Sequence, residues 1–151
     1  MEISEELNQI ILAAYNEAKA RKHEYFTPEH LLYASLFFDK GMDILYHCGG
    51  DIEGLRGEIE DYFNKYYEKI SESKDPVEST GLQNVLTRAL FSVSDQRKKK
   101  LSIGDIYVAL MDEKDSFAAY FLNRQGITKL DLLNYISHGI SVIPEIGRAH
   151  V

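Results

Sequence analysis

Tryptophan is absent from the 151 residues, cysteine occurs once and proline three times. A lone Cys48 cannot close an internal disulfide, which excludes a stapled secreted scaffold. No apolar run approaches the roughly 18 residues of a membrane-spanning helix, and the N-terminus lacks the basic-then-apolar pattern of a secretory signal. A soluble, cytoplasmic protein without a membrane partner is expected. Basic charge is also scarce, 17 Lys+Arg against 24 Asp+Glu, for a net charge of −7. The deficit lies in the first half: residues 1–75 carry 8 Lys+Arg and 16 Asp+Glu, residues 76–151 carry 9 and 8. Phosphate binding needs a basic face, and the only basic run, Arg97-Lys98-Lys99-Lys100, reads as a solvated loop before a helix start, so nucleic acid is not the expected ligand.

Several chemical signatures are missing as well. There is no Gly-x-x-x-x-Gly-Lys-Ser/Thr loop and no Gly-x-Gly-x-x-Gly, so no nucleotide cradle is present and the chain is not expected to bind or hydrolyse ATP. His23-Glu24 invites a zinc reading, but His-Glu-x-x-His needs a histidine where Thr27 stands. No Ser or Cys occupies a Gly-flanked elbow. A scattered set of His23, His30, His47 and Cys48 keeps a small metal-dependent enzyme as the rival class; half-buried structural or capping roles are the simpler reading, and no metal ligand or catalytic residue is assigned.

What the sequence does contain is helical periodicity, twice. Thr27-Pro28-Glu29-His30-Leu31-Leu32-Tyr33-Ala34 opens a helix with a hydroxyl N-cap and proline in the first turn, and Ser102-Ile103-Gly104-Asp105-Ile106-Tyr107-Val108-Ala109 echoes it 75 residues later. The same offset relates Leu7 to Leu82, Ile10 to Val85, Ala14 to Ala89, Leu31 to Ile106, Ala34 to Ala109, Ile52 to Ile127 and Leu55 to Leu130, the mark of an internal duplication. Ser4, Asp39, Asp51, Asp115 or Ser116, and Thr128 supply further helix starts, while Gly49-Gly50, Gly126 and Gly139 supply stops. One stripe of the fourth helix holds Ile52, Leu55, Ile59, Tyr62, Phe63 and Tyr66. The pattern predicts an all-α domain of eight helices in two four-helix repeats related by a pseudo-twofold axis. Its expected boundaries are residues 1–139, with repeat one at 1–70, a linker at 71–81, repeat two at 82–139 and a tail or truncated linker at 140–151. Paired acids such as Asp112 and Glu113 read as solvated helix-end charges, and Tyr25, Phe26 and Phe91 as core or as an apolar groove between repeats.

Taken together, His23-Glu24-Tyr25-x-Thr27-x-Glu29-His30-Leu31-Leu32, the Cys48-Gly49 turn, Ala118-Ala119-Tyr120-x-Leu122 and Leu130-Asp131-x-x-Asn134-Tyr135-Ile136-Ser137-His138-Gly139 resemble the N-terminal domain of the ClpA-type Hsp100 unfoldases. The resemblance runs over residues 2–139. Thr-x-Glu-His-Leu-Leu belongs to the wider Clp N-domain family, and the Leu-Asp-x-x-Asn-Tyr-Ile-Ser-His-Gly ending is the more ClpA-like part. A double Clp N motif is implied, carried by a hexameric AAA+ unfoldase that feeds the ClpP protease. The same likeness implies docking of a ClpS-type adaptor with its N-degron substrates, and direct contact with unfolded chains. No cofactor is implied here, since ATP and Mg belong to ATPase modules outside this chain. Adaptor contacts are implied for Glu24, Glu29, Arg88 and Lys129. Asn84 and Lys129 stand where relatives carry Arg, and Lys does not reproduce a bidentate guanidinium fork. A ClpC-type or free-standing Clp-N-like domain is the alternative within the family.

Overall fold

The structure is a computed structural model that describes residues 2–95 and 100–144; residues 97–99 of the basic run and 145–151 of the tail lie outside them. Eight helices form within the described residues: α1 (Glu5–Ala20), α2 (Pro28–Ser35), α3 (Asp39–His47), α4 (Ile52–Tyr66), α5 (Thr80–Asp95), α6 (Ile103–Asp112), α7 (Phe117–Arg124) and α8 (Lys129–His138). Local chemistry sets most of their ends. Side chains of Ser4, Asp51, Ser116 and Thr128 accept from Leu7, Gly54, Ala119 and Asp131 N–H at 3.0–3.1 Å, each meeting one otherwise orphan donor. Between Asp115 and Ser116, Ser116 is therefore the cap. α3 differs: Phe38 is its N-cap and Asp39 its first residue, where a carboxylate favours the positive helix end without capping it. Gly49 and Gly126 stop α3 and α7 with φ of 94° and 77°, values that disfavour a side chain.

Four two-residue strands accompany the helices: β1 (Glu2–Ile3), β2 (Tyr25–Phe26), β3 (Val77–Glu78) and β4 (Lys100–Leu101). They pair across the repeats, in parallel. Ile3 lies opposite Leu101, and Phe26 opposite Glu78. Because β1 and β3, like β2 and β4, stand 75 residues apart, exchanging the repeats turns one pair into the other. Helices follow the same exchange, α3 packing on α8 and α4 on α7. This is the expected pseudo-twofold arrangement, with each repeat completing the other's sheet.

α2 is buried along its whole length, packed on α1 and touching α4, α5, α6 and α7. Residues of both repeats enter one continuous apolar core. Inside it the Tyr107 hydroxyl donates to Ser35 Oγ at 2.8 Å, and Ser35 Oγ donates to the Leu32 carbonyl at 2.6 Å.

Two sequence-based expectations are corrected here. The 75-residue offset holds only through α2 and α6. Since α6 has 10 residues and α2 has 8, equivalent positions thereafter stand 77 apart: Gly49 with Gly126, Asp51 with Thr128, Leu55 with Leu132. Leu130, paired with Leu55 by the constant offset, is 66% exposed, whereas Leu132 is buried. Nor is 71–81 linker throughout. Val77 and Glu78 form β3, and α5 starts at Thr80 because Ser79 Oγ accepts from Leu82 N–H at 3.1 Å; small polar residues at a helix start resemble linker in composition. Beyond Gly139 the chain turns back onto α3, with Val142 N–H on the His47 carbonyl at 2.9 Å and Ser141 Oγ at 2.8 Å from His47 Nδ1.

Candidate docking face

The start of α2 is a buried polar cluster. His30 is the third helical residue, and its Nδ1 accepts from Thr27 N–H at 3.0 Å, forming the reciprocal half of a capping box. That bond leaves the ring hydrogen on Nε2, which donates to His23 Nδ1 at 2.8 Å. Burial, with Arg21 adding to it, pushes His23 down to about 4; burial, then His23 and Arg21, push His30 down to about 3. Both rings are neutral at physiological pH. Phe63 and Tyr67 enclose them.

Glu29, the next residue inward from Pro28, joins three elements. Its Oε1 accepts from the Tyr67 hydroxyl at 3.0 Å and its Oε2 from Ala118 N–H, in the first turn of α7, at 2.9 Å. Burial raises its carboxyl above the ordinary value, opposed by those bonds, and burial followed by the Glu29 charge pushes the Tyr67 hydroxyl well above its own. Glu29 is 6% exposed. Expected from the resemblance to meet a partner, its carboxylate is instead engaged between the repeats, because the N-terminus of α7 lies over it, a juxtaposition that spacing along the chain does not reveal.

The other three residues sit on a run of adjoining clefts. Glu24 is exposed on a cleft of about 370 Å³ shared with Tyr25, Thr27, Tyr66, Tyr67 and Glu68. A second cleft, of about 320 Å³, shares Thr27 and Ser79 with the first and continues past Asn84 to Glu113. Arg88 Nη1 holds Glu113 at 3.3 Å and Lys129 Nζ holds Asp112 at 2.9 Å, and both cations line a third cleft with Asp105, Asp112 and Leu133. The fold thus brings Arg88 and Lys129, from α5 and α8, to one end of α6. Asp112 and Glu113 are salt-bridged members of this face, which corrects their reading as solvated end charges.

The supposed metal set divides. His47 bonds Ser141 and stacks on Tyr135 at 4.8 Å, Cys48 is buried with its thiol pushed up to about 11, and no group of three potential ligands occurs among the described residues. The groove of Tyr25, Phe26 and Phe91 does not form: Phe26 is core, edge-on to Tyr15 at 5.8 Å. A different aromatic concavity, about 310 Å³ between α4 and α7, is lined by Tyr62, Tyr66, Phe117, Tyr120 and Phe121 with Glu58, Asp61 and Lys65. Sequence reasoning missed it because Tyr62 and Tyr66 share a helical stripe with Phe63; only Phe63 is fully buried, and Tyr66 is 64% exposed.

Residues 2–125 match the family described as the Clp repeat (R) N-terminal domain. A ClpA homolog protein of Fuscovulum blasticum is 32% identical over 149 residues, which cover 97% of this chain and 19% of that protein. Among solved structures, the Hsp104 N-terminal domain of Candida albicans superposes with a TM-score of 0.79 at 15% identity, covering 91% of this chain and 93% of the other. The ClpV N-domain of Vibrio cholerae gives 0.77 at 20%, covering 93% and 87%. A complex of a ClpV N-domain with a VipB peptide gives 0.74 at 20%, covering 93% and 89%.

Proposed function

The chain belongs to the Clp repeat N-terminal domain family, whose members are binding domains of Hsp100/Clp-type ATPases and not catalysts, and from that premise we propose that it is the docking domain of a ClpA-type unfoldase. In this reading it acts in the cytoplasm, receives a ClpS-type adaptor carrying N-degron or unfolded substrates, and delivers them to ATPase modules and ClpP outside the chain. No cofactor is required in the domain itself. The observation that carries the reading is the convergence of Arg88 and Lys129 at the end of α6, where Glu113, the ion-pair partner of Arg88, lines the cleft that shares Thr27 and Ser79 with that of Glu24. That a ClpV N-domain takes a peptide is consistent with a fold used for docking.

The face presents an acid at Glu24 and, at its other end, Arg88 and Lys129 paired with Glu113 and Asp112, so reversal tests it better than removal: exposed pairs contribute about 0.2–1 kcal/mol, whereas like charges brought together at an interface cost several. In calorimetric titration with a ClpS-type adaptor, Glu24→Lys and Arg88→Glu together weaken binding more than about tenfold, about 1.4 kcal/mol, and added salt weakens the wild type. Glu29 is left intact because a lysine there buries a charge. Glu72→Lys, in an exposed loop, is the control. Wild-type affinity in the double variant rules out this face.

A further inference from the structure

The aromatic trough between α4 and α7 lies beside the proposed adaptor face; Phe121 at its floor is core and Tyr62 packs on the core, but its outer rings are not needed to build the fold. Tyr66, Phe117 and Tyr120 are 64%, 46% and 48% exposed. α4 already buries Leu55, Ile59 and Phe63, and Ser116 starts α7 without help from a ring. The rings nevertheless form one surface: Tyr62 to Phe117 is 4.6 Å between centroids, Tyr66 to Phe117 6.5 Å and stacked, Phe117 to Tyr120 6.0 Å and edge-on. Contiguous exposed aromatic area costs solvation free energy and marks interaction sites, where Tyr and Phe supply large rigid contacts.

Charge identifies the occupant. The trough shares Tyr66 with the cleft rimmed by Glu24 and Glu68. Those two carboxylates and Asp61 have no ion-pair partner among the described residues, while Glu58 is held by Arg124 at 3.1 Å. Against them the two linings offer one cation, Lys65. The ring faces also accept positive charge, since Lys65 and Arg124 lie 5.8 Å from the Tyr66 and Tyr120 centroids.

We propose that this trough is a second docking surface, whose occupant is an extended polypeptide segment that interleaves apolar side chains with Arg or Lys. The apolar side chains seat on Tyr62, Tyr66, Phe117 and Tyr120, and the basic ones meet Asp61 and Glu68. Such a segment is engaged directly, without an adaptor, and an acidic segment is refused.

The test uses the whole chain and a fluorescently labelled, unstructured short peptide of Leu, Arg, Gly and Ser, followed by polarisation. It should bind about tenfold more tightly than counterparts with Glu for Arg or Ser for Leu. Tyr66→Ala with Phe117→Ala, and separately Asp61→Lys with Glu68→Lys, should each lose about tenfold. All four side chains are exposed, so an unchanged melting temperature separates lost binding from lost folding. Tyr120→Ala, at an exposed ring that lines the trough and none of the clefts of the adaptor face, should weaken peptide binding and leave adaptor titration unchanged, and peptide binding should not respond to Arg88→Glu; an adaptor that fails to bind while the peptide binds sinks the adaptor reading alone. Equal affinity for the Arg and Glu peptides, or wild-type affinity in the ring variant, overturns the proposal. So does self-association abolished by the ring variant, which assigns the trough to a second copy of the chain.

Discussion

His23 and His30 are held neutral by geometry as well as by burial. The acceptor nitrogen of His30 faces the Thr27 N–H, and that of His23 faces the proton on His30 Nε2, so a second proton on either ring must meet a donor. The folded values, about 4 and about 3, lie below the ordinary histidine value of 6.5. Between pH 6.5 and these values the unfolded chain therefore binds more protons than the folded one. The sign follows: this contribution to stability is complete above pH 6.5 and falls as pH drops through the window, by on the order of a few kcal/mol for the pair. Urea midpoints measured from pH 7 to 4.5 should decline, and His23→Gln, which still accepts from His30, should make the decline shallower. A variant that tracks the wild type shows that other groups govern acid stability. The histidines were recognisable in sequence as capping or half-buried residues, since the N-cap signature surrounds them; their mutual hydrogen bond was not, because it depends on how the link before α2 folds back.

At the scale of elements, the same helix start holds three helices in register. Glu29 from α2 takes the Tyr67 hydroxyl just past α4 and the Ala118 N–H in α7. Removing its carboxylate leaves two donors without their acceptor in a site from which water is largely excluded. Glu29→Ala should cost about 1–3 kcal/mol in urea denaturation, with Glu29→Gln, which keeps one acceptor, costing less. A loss under about 0.5 kcal/mol, the level of a surface substitution, shows that the clamp is not structural. The strands make the complementary link. Each is only two residues long, too short to announce itself by alternation, and each obtains its partner from the other repeat.

Over the whole molecule, these links predict that neither repeat folds alone. Residues 1–75 lack the partners of both β1 and β2, the α7 N-terminus that Glu29 caps, and the half of the core contributed by repeat two. Expressed alone, they should give no cooperative melt, whereas the full chain should melt in one transition; a sharp two-state melt of the half-chain with native-like helicity makes the repeats independent domains. The sequence by itself determined the helices, most of their caps, the duplication and the family, because caps and the 3.6-residue period are local properties of a chain. It also assigned Arg88 and Lys129 to one site, though only through the resemblance. The tertiary structure alone decided that strands pair across repeats, that the register slips from 75 to 77 residues after α6, that Glu29 is an internal clamp, and that Tyr66 and Phe117 face outward as parts of one trough. Periodicity reports which face of an element is apolar; whether that face is covered depends on elements dozens of residues away, and only their packing sets it.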